Sequence, residues 1–236
     1  MVESPYVGIC FAVLVLLLVV ERIARPRLTA GRRWALAAGA NMARMRGDSL
    51  ETLAIRLPRK TLREMLLKGW RIKGPEDVEA RLDWLDREGH TSELRTMLHA
   101  IAAVPPRELE AWLGQFDQDL QRAARFAQQH REAFKDGEIV AWDLVRLIFV
   151  ARAAFSAGYL DEAKAWQHVG HAARRLRSTY RSWGEMSENY LLGRRYWGEG
   201  DDLQKNFDAA AHWLLTDKKS PWRRLDWGIA PDQLAS

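Results

Sequence analysis

The stretch AWDLVRLIFVARAAFSAGYL, residues 141–160, sets three ionisable side chains, Asp143, Arg146 and Arg152, into a run that is otherwise apolar. A carboxylate and a guanidinium three residues apart on a helix share one face. Such a pair can close on itself as a structural ion pair. It can also line a polar pocket, where the arginine fork would grip an anionic or amide group. Arg152 falls on the side opposite Asp143, because a helix turns by about 100° per residue. The rest of the segment is apolar all round, which predicts a central, buried helix. A buried Arg152 then needs a partner from outside, and a carboxylate on a neighbouring helix is the expected one.

A second set follows in SWGEMSENYLLGRRYW, residues 182–197. Ser182 and Glu185 fit the S-x-x-E capping box, in which each side chain satisfies a backbone N–H at a helix start. Trp183, Ser187, Tyr190, Arg194 and Trp197 recur along one stripe of the helix that follows, as a packing face or as the wall of a ligand cleft. Asp143, Arg146, Arg152, Glu185, Tyr190 and Arg194 are the candidate polar-pocket residues. His168 and His171 in HVGH stand close enough to share a metal ion. Neither H-E-x-x-H nor a cysteine pair accompanies them, so no metal and no cofactor is expected. The sequence holds no G-x-S-x-G elbow, no phosphate-binding glycine loop and no dinucleotide fingerprint. No catalytic residue announces itself.

The elements that must position these residues read as helices. GPEDVEARLDWLDREG opens with Pro75 in the first turn, adds Glu76 and Asp77, and repeats Val78, Leu82 and Leu85 at helical spacing before Gly89. Thr91 can cap TSELRTMLHAIAAV, PPRELEAWLGQF starts with proline, and Asp161 can cap the helix after Gly158. No window alternates apolar and polar residues as a strand would. The tryptophans at 84, 112, 142, 166, 183 and 197 hold no fixed period, which argues against a solenoid and for a bundle with about one tryptophan per helix. The fold class expected is all-α, a compact multi-helix bundle over residues 53–236.

Residues 6–20, YVGICFAVLVLLLVV, carry no charge, and arginines follow them. No Lys or Arg precedes the run, unlike a signal peptide, so residues 1–27 are expected to form an uncleaved single transmembrane helix with a basic cytoplasmic flank. The arginines place the N-terminus outside and the domain in the cytoplasm, at a bacterial inner membrane. Residues 28–52, Ala-rich, can continue as a helix or act as a juxtamembrane connector, and the connector is the expected reading. Cys10, the lone cysteine, sits inside the apolar run and forms no intramolecular disulfide. Seven arginines against three acids over residues 1–50 supply +4 of the net charge of +5, so the remaining chain is about neutral. The bilayer and a protein are the expected partners, and nucleic acid is not.

AWDLVR, AGYLDEAKAW, YRSWGEMSENYLLGRRYW, the upstream GWRIKGPEDVEARLDWLDREGH and the closing SPWRRLDWG together resemble an uncharacterised bacterial family, domain of unknown function number twelve-sixty-six, over residues 69–228. The resemblance implies a mostly helical bacterial domain and brings no activity, substrate or catalytic residues with it. The function expected is a membrane-anchored, cytoplasm-facing interaction or scaffolding module. The alternative is an enzyme or effector with a charged cleft acting on a small anionic or polar substrate.

Overall fold

The computed structural model describes residues 28–134, 138–198 and 202–228; the expected transmembrane segment and Cys10 lie outside them. The helices, in order, are α1 (Ala30–Ala38), α2 (Ala40–Arg46), α3 (Arg59–Trp70), α4 (Pro75–Arg87), α5 (Gly89–Ala103), α6 (Leu109–Leu113), α7 (Gln118–Gln129), α8 (Val140–Ala157), α9 (Glu162–Thr179), α10 (Trp183–Trp197), α11 (Asp202–Thr216) and α12 (Pro221–Arg224). No strand occurs among the described residues, as the pattern predicts. None of the described helices is long and apolar enough to cross a membrane.

α8 is the axis of the bundle. Its residues 141–154 are all buried, and α2, α3, α4, α5, α9 and α10 pack around it. That follows from its composition, since a helix apolar on every side must be covered on every side. α7 is the contrast, with Ala124, Phe126 and Ala127 buried on one face and glutamines and arginines on the other. α10 comes close to α8 at Gly193, where a β-carbon would overlap Trp142. Gly158 ends α8 with φ +81°, and Asp161 then caps α9 by accepting the Lys164 N–H at 2.8 Å, as expected.

Residues 28–52 are not a connector. α1 and α2 belong to the core, with Trp34, Leu36 and Ala37 fully buried. The Ala-rich stretch provides the small surfaces that let α1 lie on α9 and α2 on α11. Most of the described helices carry one tryptophan, as expected, while α10 carries two and α2, α5 and α7 carry none. Trp34, Trp183, Trp222 and Trp227 gather at one end, with centroids of 4.7 Å for Trp34 to Trp183 and a stacked 5.4 Å for Trp183 to Trp222. Three of these indoles donate to backbone carbonyls: Trp34 to Asp226, Trp183 to Leu225 and Trp222 to Ala37. Buried rings with satisfied N–H groups tie the C-terminal segment to the first helix. Trp197 is 53% exposed.

Two helix starts also differ from the pattern. PPRE forms one turn of 3₁₀ helix, Pro106–Glu108, before α6. α5 begins at Gly89, two residues ahead of Thr91, and its cap comes from another helix.

Candidate functional site

The N-terminus of α5 exposes backbone N–H groups with no local acceptor, because Glu88 makes no side-chain cap there. Asp143 of α8 fills that role from 52 and 53 residues away. Its Oδ1 accepts the His90 N–H at 3.0 Å, and its Oδ2 accepts the Thr91 N–H at 2.9 Å and the Thr91 hydroxyl at 2.8 Å. Burial pushes the Asp143 carboxyl upward, and those three donors with Arg146 pull it back. The same device recurs at the start of α8, where Ile139 makes no side-chain cap and the Ala141 N–H goes to Tyr180 Oη and Asn189 Oδ1, both at 3.0 Å. α10 thus caps α8, and α8 caps α5.

Gly89 makes this approach possible. It sits at φ +54°, and a β-carbon there would overlap the Asp143 carboxylate. Gly89→Ala is expected to destabilise the chain by about 2 kcal/mol or more, combining a left-handed backbone with overpacking. Denaturant melting measures it; an unchanged midpoint would show that the carboxylate does not seat against the glycine.

Arg146 lies over this cap. Its Nη1 is 3.6 Å from Asp143 Oδ1, an ion pair rather than a hydrogen bond, and its guanidinium is sandwiched between Trp70 at 4.8 Å and Trp142 at 4.6 Å. Nη1 also meets His90 Nδ1 at 3.1 Å. Arginine only donates, so Nδ1 accepts and the proton of neutral His90 sits on Nε2. Burial, then Arg146, then Arg81 push His90 down from 6.5 to about 3.

The sign of the pH effect follows. A pKa lowered by folding stabilises above the unfolded value and loses that stabilisation as pH falls, here from 6.5 toward about 3. Asp143 acts in the opposite sense and is retained in a His90→Gln variant. Wild type is therefore expected to lose stability faster than His90→Gln over that window, by up to about 1.4 kcal/mol per pH unit. Denaturant melts at stepped pH decide it, and parallel curves would contradict the neutral, accepting His90.

Of the six candidate residues, the fold brings Asp143, Arg146, Tyr190 and Arg194 into one neighbourhood. Tyr190 is fully buried, its ring lies 5.3 Å from Trp142, and both Arg146 and Arg194 act on its hydroxyl electrostatically. Among the described residues neither Tyr190 Oη nor Trp142 Nε1 has a hydrogen-bond partner. Arg194 donates to the Gly198 carbonyl and lies 5.0 Å from the Phe207 ring. Arg152 is elsewhere, and its partners are not carboxylates. It donates to the carbonyls of Leu53 at 3.1 Å, Ser49 at 2.7 Å and Thr52 at 3.0 Å, all in the loop between α2 and α3. That loop has no helix to absorb its carbonyls, and a planar five-donor fork serves several at once. Glu185 stands at the start of α10, where Ser182 Oγ accepts the Glu185 N–H at 3.1 Å and Glu185 Oε2 accepts the Arg181 N–H at 2.8 Å. The box closes one residue earlier than the pattern predicts.

His168 and His171 turn to two different acids of α4. His168 Nε2 is 3.1 Å from Glu79, and His171 Nε2 is 3.0 Å from Asp86.

A cavity of about 700 Å³ opens beside α10. Glu138, Glu185, Glu188, Arg195, Tyr180 and Asn189 line it. Asn189 Nδ2 donates to the Glu138 carbonyl at 3.0 Å and its Oδ1 accepts the Tyr180 hydroxyl at 2.7 Å, which links three segments of the wall. Sequence reasoning found Glu185 alone of this set. It also missed His90, Gly89 and Trp70 as Asp143 and Arg146 neighbours. The one local signal was GHT at residues 89–91, which reads equally well as a helix stop and a cap.

Two proteins of Escherichia coli K12 resemble the chain. The uncharacterised protein YbeR is 28% identical over 138 residues, 58% of this chain and 58% of its own. The uncharacterised protein YbeU is 25% identical over 132 residues, 56% of each. The chain thus spans somewhat over half the length of these curated relatives. No solved structure matches it. The family described as protein of unknown function (DUF1266) matches residues 65–227, a stretch that nearly coincides with the resemblance read from the sequence and takes in the α5 cap, the cavity and, of the tryptophan cluster, all but Trp34. By that match the chain belongs to the DUF1266 family.

Proposed function

We propose that the chain is a membrane-tethered, cytoplasm-facing helical module that binds a protein partner through the cavity beside α10. The observation that carries this reading is the chemistry of the cavity wall. Three carboxylates, Glu138, Glu185 and Glu188, line it with one arginine, Arg195, which is engaged with Asp208 at 3.0 Å, while Glu138 also accepts from Arg95 at 3.0 Å and Glu185 from the Arg181 N–H at 2.8 Å. A wall with more carboxylates than arginines suits a basic segment. Its hydroxyls are committed: Thr179 donates to the Arg175 carbonyl and Tyr180 to Asn189, with burial pushing the Tyr180 phenol up. Such a wall favours binding over nucleophilic chemistry. The tether rests on the apolar run of residues 6–20 and the arginines behind it, at the inner membrane of a bacterium. Crosslinking in native membranes tests the reading. A partner adduct made by wild type should be lost in Glu138→Lys/Glu188→Lys while the melting temperature holds. An undiminished adduct, or no adduct from wild type, contradicts it.

A second reading, an enzyme or effector acting on a small anionic or polar substrate, draws support from the Tyr190 hydroxyl and Trp142 N–H beside Arg146, which have no partner among the described residues. These are donors, and an anion supplies acceptors. Phosphate or acetate would then raise the melting temperature of wild type and not of Tyr190→Phe.

A further inference from the structure

We infer that residues 217–228, the C-terminal hook, form a surface that seats the domain on anionic phospholipid headgroups; this rests on the tethered reading above. Lys218, Lys219, Arg223 and Arg224 are exposed on the hook. Arg224 Nε donates to the Lys218 carbonyl at 3.2 Å, which holds the two ends of the basic set together. Two carboxylates share the hook, Asp217 and Asp226, and each accepts a backbone N–H, from Lys219 and Gly228. Four cations against two such acids are a local excess on a domain that is about neutral beyond residue 50.

Placement ties this excess to a membrane. Trp222 Nε1 donates to the Ala37 carbonyl at 2.8 Å and Trp34 Nε1 to the Asp226 carbonyl at 3.1 Å, so residues 222–226 run antiparallel along α1. α1 is about 13 Å long at 1.5 Å per residue. The hook therefore lies beside the C-terminal half of α1, within about that length of Leu28, where the described chain begins, and Arg33 of α1 is exposed as well. Residues 21–27 separate Leu28 from the apolar run and can span at most about 25 Å when fully extended. A tether that short holds the α1 end of the domain near the headgroups. There an anionic leaflet attracts cations within a Debye length, about 8 Å at physiological salt.

The test uses the full chain with Cys10→Ser and an environment-sensitive fluorophore attached through Thr216→Cys, an exposed and uncharged position beside the basic set. It is reconstituted into phosphatidylcholine vesicles with and without one third phosphatidylglycerol. A blue shift should appear only with phosphatidylglycerol, vanish at about 1 M salt, where the Debye length is about 3 Å, and vanish when Lys218, Lys219, Arg223 and Arg224 are all changed to Glu. Near-UV circular dichroism of the tryptophan cluster checks that this variant folds, and salt reversal on the unchanged hook stands without it. Carbonate extraction of the same vesicles separates the two claims. Protein that resists extraction but shows no lipid-dependent shift overturns the inference and leaves the tether standing. Protein that carbonate strips away overturns both. A shift produced equally by duplex DNA with neutral vesicles overturns the lipid assignment.

Discussion

Asp143→Ala is expected to lower the unfolding free energy by about 3–5 kcal/mol, the largest loss from any single substitution considered. Three donors lose their acceptor together: the His90 N–H, the Thr91 N–H and the Thr91 hydroxyl. Each buried donor left unpaired costs about 1–3 kcal/mol. Arg146 would keep its aromatic sandwich and lose its nearest carboxylate. The start of α5 should loosen first, since its remaining backbone donors have no cap of their own. Denaturant melting gives the magnitude, and amide exchange at residues 90–92 gives the location. A variant as stable as wild type would mean that the carboxylate is held for something other than the fold.

Arg152→Met is expected to be the next most damaging change, at about 3 kcal/mol. Methionine fills most of the volume, so the loss reports the three carbonyls of Ser49, Thr52 and Leu53 rather than a cavity. Arg152 is 1% exposed, and burial lowers its pKa only to about 10, so it is a cation at neutral pH. The loop it holds is also pinned one turn further on, where the Ile55 N–H donates to Ser156 Oγ at 2.8 Å. Release should therefore spread along residues 49–55 and speed amide exchange at Ile55. Unchanged melting with unchanged exchange would show that water replaces the guanidinium without loss.

What the sequence made legible was periodic or local. α8 reads as a central helix because charge is sparse and apolar residues surround its whole circumference. α4 reads from Pro75 to Gly89, and Asp161 and Ser182 read as caps because a cap lies three residues from the N–H it serves. The missing part was tertiary. Asp143 reaches Thr91, Arg152 reaches Ser49 and Trp34 reaches Asp226 across separations of 52, 103 and 192 residues, which no window spans. α1 and α2 were hidden for another reason. Alanine contributes little contrast between faces, so a helix that packs through alanines looks like a linker until its neighbours are in place. The candidate site was half legible. Composition flagged the ionisable residues buried in the bundle, while the acidic cavity depends on residues from three segments, of which the stripe and capping patterns singled out only Glu185.

The charges inside α8 are bonded to backbone and side chains of the bundle, so the acidic cavity and the basic hook are the surfaces proposed for binding. A double-mutant cycle of Asp143→Ala and Arg146→Met, read by denaturant melting, tests it most directly. The predicted result is two destabilising single changes and a double variant less damaged than their sum, with a coupling of about 1–3 kcal/mol, because each single change strands the other charge. Near-wild-type single variants that add within about 0.5 kcal/mol would contradict it and return Asp143 and Arg146 to the search for a functional site.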